Sequence, residues 1–211
     1  MSLKSDFEKT VRSSATFIQT LPWENPDFYK QWLAQQYFLV SHTPRLLCAF
    51  ALRIPLESKK EFLEIMHHLK EETGHDLWLL SDLEKMGHTP DQFNFLPSAS
   101  SLIKSQYYQI QHDDPISLCG YSQFLELLSA ETAGVLAARV ESAHGKKTAV
   151  FLKGHALVDV QHAEDGWNMI DRASESQIPK IKENLIMTSL LYLQMLNEIK
   201  DMTIKNDRRV A

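Results

Sequence analysis

The tightest constraint on this chain is a run near its end, Gly154-His155-Ala156-Leu157-Val158-Asp159-Val160-Gln161-His162-Ala163-Glu164-Asp165-Gly166. Nothing before Gly166 breaks a helix, and Leu157, Val158 and Val160 supply an apolar side. At roughly 100° per residue, His155, Asp159 and His162 fall within about 60° of one another on a helix surface. Two imidazoles and a carboxylate on one stripe, beside residues that imply packing, form a candidate set of metal ligands. A solvated face could carry the same residue types, so the run needs support from elsewhere.

Two other stretches supply it. In His67-His68-Leu69-Lys70-Glu71-Glu72-Thr73-Gly74-His75-Asp76, Glu72-x-x-His75 is the i, i+3 pair that carboxylate-bridged di-iron proteins place on a bundle helix. In Ser129-Ala130-Glu131-Thr132-Ala133-Gly134, a glutamate stands among small and apolar residues, where an unpaired carboxylate would be costly. Glu126, five residues earlier on another face of the same helix, competes with Glu131. Glu72, His75, Glu131, His155, Asp159 and His162 together offer three carboxylates and three imidazoles. Six such ligands can hold two metals and leave positions open for dioxygen or water. Oxygen and imidazole ligands without thiolates suit iron, or manganese, better than copper(I).

The order E-x-x-H, then E, then H-x-x-x-D-x-x-H resembles the haem-oxygenase-like di-iron oxidases and oxygenases. These are labelled iron-containing redox enzymes and grouped with thiaminase II and pyrroloquinoline-quinone synthase. Glu71-Glu72-Thr73-Gly74-His75 followed by Asp82-Leu83 and Gly87, and His162-Ala163-Glu164-Asp165-Gly166, carry the same resemblance. It implies an all-α, single-domain, seven-helix bundle over residues 1–204. It also selects Glu131 over Glu126, because small residues follow that glutamate directly. The implied function is a non-haem di-iron oxidase or oxygenase that activates dioxygen on a small organic substrate in a bundle pocket. Two iron ions (Fe2+/Fe3+), with manganese as a substitute, would be its cofactors, and an unidentified electron donor its partner. Homodimerisation is left open.

Two alternatives belong to other classes. A cofactorless thiaminase-2-like enzyme would need a cysteine nucleophile, and nothing beside Cys119 in sequence marks an activated thiol. A non-catalytic iron-binding or interaction protein could keep the site without turnover. Haem degradation would call for a histidine in the first helix, yet none precedes His42.

With 211 residues and 44% hydrophobic content, the chain can bury one substantial core. A net charge of −5 gives no electrostatic footprint for nucleic acid. Cys48 and Cys119 cannot build a disulfide framework, and Met1-Ser2-Leu3-Lys4-Ser5-Asp6 lacks the apolar core of a signal peptide. No apolar run reaches the ~20 residues of a membrane span. A cytoplasmic location is the expectation.

Taken in order, periodicity predicts helices over about 4–21, 27–53, 57–86, 101–111, 116–143 and 148–173, with a last one from Pro179. Pro44 implies a kink or break near His42, making Tyr37, Ser41 and His42 candidate pocket residues. His68 reads as an exposed histidine in a charged patch, with a hydrogen-bond role behind Glu72 as the alternative. Glu141-x-x-His144 repeats the E-x-x-H spacing, but Gly145 directly after it marks a frayed helix end. Gly154 and Gly166 imply close approach of other side chains or helices. The basic tail, residues 205–211, is expected to be disordered.

Overall fold

The structure, a computed structural model, describes residues 2–210, with side chains to residue 204. Its helices are α1 (Leu3–Gln19), α2 (Pro26–Ala51), α3 (Lys59–Glu72), α4 (His75–Lys85), α5 (Pro97–His112), α6 (Leu118–His144), α7 (Val150–Ile170) and α8 (Ile178–Val210). No strand occurs among the described residues. The expectation for the tail lies outside the described side chains.

Local chemistry sets the starts. Ser2 accepts from the Ser5 amide ahead of α1, and Asn25 accepts from the amides of Asp27 and Phe28 ahead of α2, where Pro26 holds the first helical position. Asp114 accepts from the Ile116 amide in the turn before α6. α5 begins at Pro97 rather than Ser101, because the small residues after the proline are helical and Ser98 and Ala99 are buried.

The helix expected over 57–86 is two helices. Gly74 takes a left-handed φ of 101°, so α3 ends at Glu72 and α4 restarts at His75. Counted as one broken helix, they give the seven of the haem-oxygenase-like bundle. Pro44 has the opposite outcome, since α2 runs unbroken through it. Its cavity-facing side chains include Trp32, Gln36, Leu39, Val40 and Thr43. Tyr37, Ser41 and His42 do not line the cavity; His42 Nδ1 instead pairs with the Tyr107 hydroxyl at 2.9 Å.

α6 and α7 form the most extensive helix pair, with α1 and α8 packed along α6 and α2 against α3, α4 and α5. Phe7, Phe28, Tyr29, Leu33, Leu79 and Phe124 are fully buried between them. The start of α7 is fixed from two sides. Asp82 of α4 caps the amides of Val150 and Phe151, and the Tyr29 hydroxyl donates to the Thr148 carbonyl at 2.6 Å. The end of α6 is not frayed: His144 Nε2 meets the Trp23 carbonyl at 2.8 Å and its ring stacks on Tyr29. Glu141 pairs with Lys153, so this second E-x-x-H is spent on structure.

Candidate metal centre

Glu72, His75, His155, Asp159 and His162 converge on one interior point, and all five are buried. The break at Gly74 brings Glu72, the last residue of α3, and His75, the first of α4, face to face, with Oε2 3.3 Å from Nδ1. The other Glu72 oxygen, Oε1, lies 3.5 Å from His162 Nδ1 and 3.8 Å from His68 Nε2. One carboxylate therefore faces three imidazoles, one through one oxygen and two through the other.

His155, Asp159 and His162 share a face of α7, as the spacing requires. Both Asp159 oxygens lie 3.0 Å from His155 Nδ1, which leaves Nε2 as the lone-pair nitrogen when Nδ1 carries the proton. Asp159 Oδ1 also stands 3.6 Å from His162 Nδ1.

Glu131 is not part of this assembly. It is exposed on the far side of α6, in a surface groove with Lys4, Glu8 and Arg12. Five residues correspond to about 140° of helix rotation, so Glu131 and Glu126 cannot both face α7. Glu126 faces it, with Oε1 3.4 Å from His68 Nε2. His68 is not the exposed patch residue expected; its ring meets His162 at 5.2 Å. Two groups of donor atoms result, Glu72–His75–His155 and His68–Glu126–His162, each within 4.8 Å of one another. Glu72 and Asp159 link them.

Trp78 stacks on His75 at 4.1 Å and meets the edge of His155 at 5.9 Å. Gly154 makes room for it, since a Cβ there would lie 2.5 Å from the indole. Gly166 does the same for Gln123, whose amide donates to the Ala163 carbonyl one turn from Glu126. Both glycines are close-approach sites, as expected.

Electrostatics separate the carboxylates. Burial favours protonation of Glu72, but the imidazoles of His68 and His75 beside it outweigh burial and hold the carboxyl well below its usual range. Glu126 is pushed up to about 7 by burial, with Asp159 and Glu72 adding to the push. Burial works to lower His162, but the carboxylates of Asp159, Glu126 and Glu72 around it push it up to about 9.

The residues fit metal ions. His75 Nδ1, His155 Nε2 and His162 Nδ1 are buried without a hydrogen-bond partner, an arrangement that is costly unless something accepts their lone pairs or protons. Donor atoms held about 2.0–2.2 Å from one ion lie about 3–4 Å from each other, and the separations of 3.3–3.8 Å around Glu72 match that spacing. Beside the centre lies a cavity of about 120 Å³ whose wall is mostly leucine and aromatic. Among the described residues no helix is long and apolar enough to cross a membrane.

A haem-oxygenase-like helical bundle holding a buried cluster of carboxylates and imidazoles is the class that fold and site define. The sequence profile of the iron-containing redox enzyme family matches residues 30–196, and the chain belongs to that family. No curated protein sequence matches it. Solved structures share the fold, and three illustrate it at low identity. A domain of unknown function with a heme oxygenase-like fold from Shewanella denitrificans superposes with a TM-score of 0.82 at 18% identity, covering 94% of this chain and 92% of its own. A TenA homologue from Pseudomonas syringae pv. tomato gives 0.79 at 12% identity, covering 93% and 90%. A TenA homologue from Pyrococcus furiosus gives 0.66 at 9% identity, covering 94% and 100%.

Proposed function

We propose that this chain is a non-haem di-iron oxidase or oxygenase that uses dioxygen to transform a small organic molecule bound in its helical cavity. The observation that carries this reading is the pair of donor groups joined through Glu72, each oxygen of which faces a different imidazole set. His75 and His155 would serve one ion and His68, Glu126 and His162 the other, with Glu72 between them. Asp159 fixes the tautomer and orientation of His155 and ties it to His162. Two irons held there would supply electrons and Lewis acidity for dioxygen chemistry, drawing on an external electron donor. The apolar wall excludes bulk water and orients the substrate beside the centre.

The thiaminase-2-like reading needs an activated thiol. Cys119 is buried, absent from the cavity wall and pushed up by burial to about 12, so it stays protonated at neutral pH. Cys48 is exposed and also outside the cavity. The test is anaerobic loading with ferrous iron followed by oxygen exposure. The expected result is two irons per chain and substrate-triggered oxygen uptake. Failure to bind iron, or bound iron inert to oxygen with every substrate class tried, overturns the reading.

A further inference from the structure

Several polar side chains line the cavity; Ser122 and Thr132 donate to carbonyls of their own helix, whereas one polar group in the wall is left without an acceptor. Gln36 of α2 donates through Nε2 to the Tyr192 hydroxyl of α8 at 2.6 Å. That hydroxyl oxygen is thereby an acceptor, and among the described residues its proton meets no acceptor of its own. Trp32, one turn before Gln36 and only 3% exposed, turns its Nε1–H toward the same hydroxyl and completes no hydrogen bond. All three side chains line the cavity. Two donors therefore stand together in an apolar wall with nothing to donate to, a costly arrangement unless a ligand supplies the acceptor.

The rest of the wall limits what that ligand can be. No lysine or arginine lines the cavity among the described residues. A carboxylate or phosphate held at the Tyr192 end would be buried without a counter-charge. An ammonium would meet donors rather than acceptors there. Leu39, Leu46, Leu125, Leu128 and Leu136 offer only hydrocarbon contact. From Trp32 the wall reaches the centre in two ring contacts, Trp32 to Phe151 at 6.1 Å and Phe151 to His155 at 4.3 Å.

We propose that the cavity binds an uncharged, largely hydrocarbon molecule whose carbonyl or ether oxygen accepts from the Tyr192 hydroxyl and the Trp32 indole, its hydrocarbon end lying toward His155. That this molecule is the substrate rests on the di-iron reading; that it binds does not. The selectivity at the Tyr192 end is a matter of donors: that end rewards an oxygen acceptor and gives an anion no counter-charge.

The experiment uses the metal-free full chain and three probes of matched length: methyl hexyl ketone, octane and octanoate. Affinity is measured by calorimetry and by the shift in Tm. The ketone should bind roughly tenfold or more tighter than octanoate. Tyr192→Phe should weaken the ketone roughly three- to tenfold and leave octane unchanged, as should Trp32→Phe. Unchanged octane binding shows that a variant still forms the cavity; if neither variant folds, the probe ranking in the parent decides. Octanoate binding as tightly as the ketone overturns the proposal. So does an unchanged ketone-to-octane ratio in the folded variants, or no binding of any probe. Because no metal is present, failure to load iron elsewhere leaves this result standing, and the reverse holds too.

Discussion

Asp82 and Phe151 are 69 residues apart in sequence, yet Asp82 Oδ2 accepts a buried hydrogen bond from the Phe151 amide at 3.0 Å. Asp82 Oδ1 accepts from Val150 at 2.9 Å, so one carboxylate satisfies two of the unpaired amides that open α7. His75 and Asp82 stand seven residues apart, two turns along one face of α4. The same helix thus delivers one imidazole to the centre and fixes the start of the helix that delivers two more. Asp82→Ala should cost about 2–3 kcal/mol of stability, combining a lost cap with lost charge-assisted bonds. It should also weaken metal binding on the order of 10–100-fold by letting His155 shift. Asp82→Asn, which keeps one acceptor, should fall between. Thermal melting and metal titration check both effects; parent-like metal affinity in Asp82→Ala would mean that α7 is held by other contacts.

Trp78 supports a second prediction. Gly154→Ala places a methyl group 2.5 Å from the indole, inside any allowed contact, so Trp78 must leave its stack on His75. Overpacking of this kind costs about 1–3 kcal/mol, set against about 1 kcal/mol gained in helix propensity. The net loss of stability should therefore be small and the loss of metal affinity larger. Indole fluorescence should report the displaced ring. A variant that melts and binds metal like the parent would show that the stack does not orient His75.

The metal-free protein should lose stability as pH rises. Burial lifts Glu126 from 4.5 to about 7, so its advantage to the fold is complete below about 4.5 and gone once pH passes about 7. His162, lifted from 6.5 to about 9 by Asp159 and Glu126 against the effect of burial, contributes stability that is full below about 6.5 and lost through 9. Both groups act in the same direction. Metal must displace both protons, so the stabilisation that metal confers should grow over the same window. Melting from pH 5 to 9, with and without metal, tests this, and Glu126→Gln should flatten the metal-free curve. A parent curve that instead rises across that range would contradict the assignment.

The parts of the centre legible in sequence are those governed by a single helix. His155, Asp159 and His162 needed only the 3.6-residue period, which places them on one stripe whatever packs against it. Glu72 and His75 were found by a spacing that does not operate here, since a left-handed Gly74 separates their helices and brings them together by a turn. α6 is the harder case, because it is apolar on most sides and its facing stripe depends on register against α7. A usable signal was present: Gln123, Glu126 and Ala133 recur at helical spacing on a buried face, whereas Val135, one turn after Glu131, is 54% exposed. His68, one turn before Glu72, shared its face in sequence too; only the position of α6 shows that the face is interior. For α2 the proline drew attention to His42, while Gln36, Leu39, Val40 and Thr43 already marked the other side by their period.

The two glutamates of α6 give the most direct test. Glu131→Ala removes an exposed carboxylate far from the imidazoles, so stability should change by less than about 0.5 kcal/mol and metal stoichiometry should not change. Glu126→Ala removes the carboxylate facing His68 and should abolish or sharply reduce the metal-induced rise in Tm. His162→Ala should behave like Glu126→Ala, since it removes a buried nitrogen that has no hydrogen-bond partner. In the absence of metal above pH 7, Glu126→Gln should be at least as stable as the parent, because a buried charge beside Glu72 and Asp159 is gone. This combination separates a ligand from a structural residue, for which loss of metal binding and loss of stability would go together. Metal stoichiometry and melting of the four variants, with and without ferrous iron, decide it. If Glu131→Ala loses the metal response while Glu126→Ala keeps it, the centre lies elsewhere on α6. If all four keep it, the His68–Glu126–His162 group does not hold metal.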